Sequence, residues 1–312
     1  MQGLDARLVC MFDAVARCRS FTRAAEELRI AQPWLSVQIR RLEDLLRFPL
    51  FERNRKQAVV LTPQGEAFWP SARTFLQARD MLMREAEQIR RQTMATLLLG
   101  APEFSADIVE RPALLNCFET RFPQIELEII TGHSPMLLEQ LLRGDIDVTL
   151  ALGPFPSDPR LDHVVLAETK VSMLVPRSHR LATSSHISLA TLAGEEIANF
   201  RRRLNPPVYD QLAEYFAAYG VRMVNFPEAT LRGAMQFATN HPIPIIMPEW
   251  MVGVVSDWND FILIPLEDPQ VTLQLLVVRR AGAGSTAVEA FWSEASAFAT
   301  GSHQKERTLS EA

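Results

Sequence analysis

Between residues 20 and 53 the apolar positions fall into two short helical repeats joined by a tight turn. Phe21, Ala25 and Leu28 give the first repeat its apolar face. Leu35, Ile39, Leu42 and Leu46 recur at i, i+4, i+7 and i+11 and give the second an inward stripe. A helix over residues 4–18 precedes them, with Leu4, Leu8, Met11, Phe12 and Val15 predicted inward. At about 100° per residue, the side opposite the second stripe carries Pro33, Ser36, Val37, Arg40 and Arg41. Small and apolar residues beside two arginines suit a face that approaches another surface closely. A DNA major groove is such a surface: Ser and Gln reach base edges, Val touches a thymine methyl, and Arg holds guanine or phosphate. On periodicity alone, a plain three-helix core with ordinary polar exposure fits equally well.

From residue 62 the repeat lengthens. Thr62 is placed to N-cap a helix that has Pro63 at its first position and runs to about Gln92. Phe68, Phe75, Leu82 and Ile89 recur every seven residues, with Gly65, Ala72, Arg79 and Ala86 on the companion positions. Large and small residues sharing one seam suit helix–helix pairing between chains; the alternative is an amphipathic helix lying on its own body. Pro70 removes one intrahelical bond and predicts a bend.

Beyond the long helix, strands and helices alternate. Strands are predicted at 96–100, 125–130 and 148–152, with helices at 109–121 and 135–143. A second set places strands at 164–166, 171–176, 196–200, 221–226 and 243–248, with helices at 206–219 and 229–239. The chain then offers a strand at 261–266, a return strand at 271–278, a helix at 286–300 and a polar, disordered tail at 301–312. Such alternation predicts an α/β architecture with a parallel sheet in each half and helices on both faces.

Charge sharpens the picture. The formal net charge is −5 over 312 residues, but residues 1–92 carry about +5 and residues 93–312 about −10. A basic N-terminal third on an acidic body is the electrostatic footprint of a nucleic-acid-binding module attached to something else. The length points to two or three domains. No apolar run reaches membrane-spanning length and no signal peptide is read, so a cytoplasmic location without membrane contact is expected. Cys10, Cys18 and Cys117 are odd in number and lack metal-ligand spacing, as reduced buried thiols would be; a redox-sensing Cys117 is the alternative.

The order of residues adds a resemblance. Ser20-Phe21-Thr22, Ala24-Ala25, Leu28, Gln32-Pro33, Leu35-Ser36, Ile39, Leu42-Glu43, Pro49-Leu50-Phe51-Glu52-Arg53, Leu61-Thr62-Pro63 and Gly65 resemble the LysR-type transcriptional regulators. Leu142 to Asp147 and Ser178 to Ala182 extend the match. The resemblance implies a winged helix-turn-helix over 1–62, a linker and dimerisation helix over 63–92, and a two-subdomain effector-binding domain of periplasmic-binding-protein type over 93–300. In that domain, 93–161 and 267–300 would form one half and 162–266 the other, joined by two crossing strands. Arg47 stands where the family usually has a helix-ending glycine and Ala31 where it often has a capping serine, departures that each cost about 1 kcal/mol.

Site residues follow from both readings. Gln32, Pro33, Ser36 and Val37 are assigned to base edges. Thr22, taken as an N-cap, joins Arg23, Arg40 and the wing residues Arg53, Arg55 and Lys56 as mainly phosphate contacts. By resemblance the partner is an inverted-repeat operator in double-stranded DNA, bound by a homodimer or homotetramer paired through Phe68, Ala72, Phe75, Leu82, Ala86 and Ile89. The resemblance also allows RNA polymerase as a partner. An effector is expected in the cleft of the second domain: Ser105 follows one strand, and Ser134 is read as an N-cap able to receive an anionic oxygen. With Arg201, Arg202 and Arg203 opposite, and Phe200, Thr230 and His241 lining, a small carboxylate is expected; the alternative leaves Ser134 as a plain cap and the arginines as a solvated loop or a subunit contact.

No H-E-x-x-H, G-x-S-x-G, phosphate loop or complete dinucleotide-binding glycine motif is present, and six scattered histidines show no metal-ligand spacing. The sequence therefore predicts a regulator without catalysis, metal or cofactor. An enzyme or solute receptor carrying a DNA-binding-like helix pair is the competing class, for which neither converging catalytic groups nor an export signal is visible.

Overall fold

The structure, a computed structural model, describes residues 4–52, 59–154, 158–227, 230–251, 260–267, 271–282 and 284–310. The chain forms two compact units, Met1–Glu87 and Gln88–Ala312, and the division falls inside the long helix.

The first unit is built from α1 (Ala6–Cys18), α2 (Phe21–Leu28), α3 (Gln32–Leu46) and most of α4 (Pro63–Met94). Its core is the predicted one, with Leu8, Phe12, Val15, Ala25, Leu35, Ile39 and Leu42 buried. Leu4 lies outside it, 38% exposed, because α1 begins only after Asp5, whose carboxylate accepts the Arg7 N–H as N-cap. Phe12, Phe21, Phe51 and Phe68 form a chain of tilted rings with centroids 5.6 Å apart at each step. Glu43 at the end of α3 accepts the N–H groups of Leu50 (2.7 Å) and Phe51 (3.2 Å), which fixes how the chain leaves the helix. The base of the predicted wing is formed by a bridge between Phe51 and Leu61 and by the Glu52 N–H donating to the Val60 carbonyl at 2.9 Å.

Thr62 caps α4 as predicted: its hydroxyl oxygen accepts the Gly65 N–H at 2.9 Å while its O–H donates to the Pro49 carbonyl at 2.7 Å. Gly65 is required by close approach, since a Cβ there would run into the Leu50 carbonyl. The helix continues unbroken through Pro70.

The second unit holds nine strands in one mixed sheet among the described residues, in the order β2-β1-β3-β9-β4-β7-β5-β6, with β8 also on β4. These are β1 (Thr96–Ala101), β2 (Glu126–Thr131), β3 (Val148–Gly153), β4 (Leu161–Pro176), β5 (Glu196–Asn199), β6 (Arg222–Asn225), β7 (Ile245–Pro248), β8 (Phe261–Pro265) and β9 (Thr272–Arg280). Helices α5 (Glu110–Arg121), α6 (Ser134–Arg143), α7 (Pro206–Ala217), α8 (Leu231–Asn240) and α9 (Thr286–Ser310) complete it.

The parallel expectation holds within each half, where β1 pairs β2 and β3, and β5 pairs β6 and β7, all in parallel. It fails at the join. The segments expected as separate strands at 164–166 and 171–176 are one strand, β4, with a bulge between Val165 and Ala167, and it runs antiparallel to β9 from Leu161↔Arg280 to Lys170↔Thr272. After Lys170 the same strand pairs β7 and β8 instead. Thus β4 and β9 cross between the halves and belong to both. The Arg280 guanidinium donates to the Leu141 and Ile146 carbonyls at 2.6 and 3.1 Å, pinning the Leu142 to Asp147 turn to β9. The segment 301–310, expected as a disordered tail, continues α9 as helix.

Candidate DNA-binding surface and effector cavity

On α3 the inward stripe is buried and the opposite side is open. Gln32, Pro33, Val37, Arg40 and Arg41 are exposed and Ser36 is half-buried. The Gln32 amide donates to Ser36 Oγ at 2.9 Å, so two of the residues assigned to base edges hold one another on the first turn. Ala31 occupies the N-cap in extended conformation and offers no side-chain bond to the helix amides. Trp34 was not singled out by sequence reasoning, yet it stands 47% exposed beside Val37 at 58%. Its signal was its position three residues before Val37, which puts the two on one side of the helix.

Thr22 is exposed inside α2 and does not cap it. The cap is Ser20, whose hydroxyl oxygen accepts the Arg23 N–H at 3.3 Å. The helix begins two residues earlier than read because Phe21 must enter the first turn to reach Phe51. Arg53, Arg55 and Lys56 lie outside the described residues. Helices α1, α2 and α3 all end on an arginine in the left-handed region, Arg19, Arg29 and Arg47, with φ of 49°, 54° and 61°. Glycine is the usual occupant there.

Along α4 the sevenfold seam divides. Ala72 is buried and Phe68 packs against the unit's own core, so neither is offered outward. Phe75, Leu82 and Ile89 are 38%, 65% and 59% exposed, Ala86 is exposed beside them, and Met81 and Met83 add 62% and 66%. The reason is register: the first two turns of α4 are needed to close the aromatic cluster of Phe12, Phe48 and Phe68.

In the second unit a cavity of about 180 Å³ lies where strands of both halves end. From one half come Phe104 after β1, His133 and Ser134 at the start of α6, Leu152 in β3 and Leu273 in β9. From the other come Asn199, Phe200, Leu204, Asn205, Phe226, Thr230, Ile246 and Trp250. Of the residues expected to hold an effector, Ser134, Phe200 and Thr230 line this cavity, whereas Ser105, Arg201, Arg202, Arg203 and His241 do not.

Each displacement has a cause. Ser105 is fully buried in a short turn after β1, where it receives the Arg111 guanidinium at 2.9 Å. Burial lowers the pKa of that guanidinium, with the Asp107 charge opposing the shift. Arg202 is turned onto Asp210 of α7 through two bonds of 2.6 Å, which raise its pKa and lower that of Asp210. Arg201 and Arg203 are exposed. His241 ends α8 and stacks on Phe237 with centroids 4.6 Å apart.

Ser134 is also not the cap it was read to be. His133 holds that position, and the Ser134 hydroxyl oxygen accepts the Leu152 N–H at 3.0 Å. The Leu152 carbonyl is taken from the other side by Asn205 Nδ2 at 3.1 Å. One residue at the end of β3 is thereby held, through the peptide groups on its two sides, by a side chain from each half. Asn205 N-caps α7 ahead of Pro206 and Pro207, a signature visible in Asn-Pro-Pro that sequence reasoning passed over. Among the described residues no group of His, Cys, Asp and Glu is placed to hold a metal, and no helix is long and apolar enough to cross a membrane.

Comparison with known proteins decides the family. The pattern of the LysR substrate binding domain matches residues 90–299, and that of the bacterial regulatory helix-turn-helix protein, lysR family, matches residues 6–66. The chain belongs to the LysR family. Among LysR relatives, the HTH-type transcriptional regulator BudR of Raoultella terrigena is 31% identical over 220 residues, 70% of this chain and 76% of its own. The Hca operon transcriptional activator HcaR of Escherichia coli K12 is 32% identical over 191 residues, 61% of this chain and 63% of its own. The LysR fold is shared with full-length CbnR in complex with its target DNA, at TM-score 0.64 and 22% identity, covering 95% of this chain and 100% of that one. Full-length BenM gives 0.56 at 22% identity, covering 96% and 98%. The chain is therefore a LysR-type DNA-binding transcriptional regulator with an effector-binding domain, in a family of regulators rather than enzymes.

Proposed function

We propose that this regulator acts in the cytoplasm, binds an inverted-repeat operator as a dimer or tetramer, and changes its hold on DNA when a small molecule enters the cavity of the second unit. The domain division read from sequence goes with this proposal: helix-turn-helix and wing to residue 62, a linker helix to 92, and the effector domain beyond. The observation that carries the reading is the outer side of α3, where Gln32, Pro33, Trp34, Val37 and Arg40 stand exposed over a buried Leu35–Ile39–Leu42 stripe. That arrangement suits entry of the helix into a major groove. CbnR, similar in fold, has been seen with its target DNA. Arg53, Arg55 and Lys56 are proposed as backbone contacts on the strength of their charge and of the wing read from sequence.

A small molecule affects DNA binding only through a difference in affinity between two arrangements of the protein. The two-sided grip of Ser134 and Asn205 on Leu152 is proposed as the element that such a ligand biases. The test is a gel-shift and footprint on DNA upstream of the chain's own gene. A protected inverted repeat is expected, and Ser36→Ala should alter the preferred base at one position in each half-site. Uniform, sequence-independent retardation by wild type would overturn the operator reading.

A further inference from the structure

The polar side chains Asn199, Asn205, Ser134 and Thr230 at the cavity wall each already bond within the protein. Among the described residues no Asp, Glu, Lys or Arg contributes to the wall; His133 is the one ionisable lining residue among them, and it is itself exposed. Asn205 uses Nδ2 on the Leu152 carbonyl and Oδ1 on the Val208 N–H. Asn199 Oδ1 accepts the Phe200 N–H, and its Nδ2 faces the Met223 sulfur at 4.0 Å. Ser134 Oγ and Thr230 Oγ1 accept the N–H groups of Leu152 and Gly233. Trp250 differs: its ring forms part of the wall, while its Nε1 is buried with no hydrogen-bond partner among the described residues. Buried donors are nearly always paired, and an unpaired one is costly.

The remaining wall is apolar, including Phe104, Phe200, Phe226 and Ile246. An ion entering it would shed its hydration without meeting an opposite charge among the described lining residues. The volume of about 180 Å³ is close to the roughly 150 Å³ at which a dry apolar cavity holds benzene.

We infer that the ligand of this cavity is an uncharged, largely apolar molecule about the size of one six-membered ring, carrying a hydrogen-bond acceptor that receives the Trp250 Nε1–H. This inference rests on the regulator reading above and replaces the carboxylate expected from sequence, because none of the three arginines meant to hold that carboxylate lines the cavity.

Three one-ring probes separate the possibilities by calorimetric titration of the full-length protein: toluene without an acceptor, acetophenone with a neutral one, and benzoate with a charged one. Acetophenone should bind about tenfold more tightly than toluene, the effect of one buried hydrogen bond, and more tightly than benzoate. Trp250→Phe keeps a ring and removes the N–H, so the advantage of acetophenone over toluene should fall to about twofold or less. Ala234→Leu, which fills the cavity, should weaken both together. If Trp250→Phe does not fold, the order of the three probes on wild type decides alone. Benzoate binding most tightly overturns the inference, as does an acetophenone advantage that survives Trp250→Phe, or no binding of acetophenone at millimolar concentration. Footprinting of the same preparation keeps the two readings apart: a protected operator with the wrong probe order sinks only the ligand class, whereas an absent operator sinks the regulator proposal.

Discussion

Replacing Asn205 by Asp changes one atom of the grip on Leu152 and leaves the shape intact. Asn205 is 7% exposed, donates to the Leu152 carbonyl at 3.1 Å, and accepts the Val208 N–H as the cap of α7. The cap survives in Asn205→Asp, because Asp caps as well as Asn. The neutral carboxyl can still donate its O–H to that carbonyl; only the ionised form leaves it unpaired, and a lost donor costs about 1 kcal/mol for the bond and about 1–2 kcal/mol for the unpaired carbonyl. The introduced carboxyl is buried, so its folded-state pKa rises above the unfolded value of about 3.9. A rise of about two units adds about 2.7 kcal/mol once the unfolded chain ionises freely. The favourable charge at the start of α7 returns about 0.5 kcal/mol.

The sign follows from proton counting. Between the two pKa values the folded state holds the extra proton, so stability of the variant falls as pH rises and levels off above the folded pKa. Denaturant unfolding followed by circular dichroism should therefore show a loss of about 1 kcal/mol or less near pH 4, where the neutral carboxyl still donates, and about 3 kcal/mol near pH 7.5, relative to wild type at each pH. Asn205→Ser removes the same donor without the charge and should lose about 2 kcal/mol at both. Equal losses for Asn205→Asp at the two pH values would mean that the side chain faces water, and the interhalf grip would be refuted.

Three further outcomes are expected. Ala31→Ser supplies the missing N-cap of α3 and should stabilise the first unit by about 1 kcal/mol, raising its thermal midpoint by about 4–8 °C; an unchanged midpoint would place the helix start elsewhere. Leu82→Glu alters a residue 65% exposed in the single chain, so subunit stability should stay within about 0.5 kcal/mol while sedimentation equilibrium shows a smaller species. A variant that sediments as wild type removes Leu82 from the pairing seam. Arg40→Ala should weaken binding to all DNA sequences alike and reduce the salt slope by about one, measured by fluorescence anisotropy at several salt concentrations; an intact slope excludes a phosphate contact.

What was legible in the sequence was whatever is written locally. The Leu35–Ile39–Leu42 stripe, the Thr62–Pro63 start of α4 and the strand–helix alternation depend on neighbours within a few turns, and each appears close to where periodicity put it. The cavity was legible as a location, at the ends of strands from two halves, but not as chemistry. Arg202 was read by its charge and its place after β5, whereas its orientation is set by Asp210, eight residues on and across a turn of α7. Ser105 was spent on Arg111 and Ser134 on Leu152, choices made by tertiary contacts that no spacing reveals. Capping was the weakest local reading: Ser20 and Thr22 are both good caps, and ring packing of Phe21 selects between them. The left-handed arginines at 19, 29 and 47 show the converse, a local preference for glycine overridden. Cations favoured beside helix C-termini offset part of that cost.

The crossing of β4 and β9 has a consequence for how the chain is made. The first half of the regulatory unit begins at β1, yet β9 fits between β3 and β4, and Phe291 of α9 meets Phe118 at 5.0 Å in the core beneath. A ribosome that has finished β3 must therefore translate through the entire second half before the missing strand and helix emerge. At ordinary elongation rates that interval is on the order of ten seconds, with the edge of β3 and the apolar face of α5 unpartnered throughout. The N-terminal unit faces no such wait, because its core closes within consecutive helices. Nascent chains stalled near residue 260 should hence carry a protease-resistant N-terminal unit followed by a regulatory half that chaperones still hold, and C-terminal truncations should damage the start of that half before its middle.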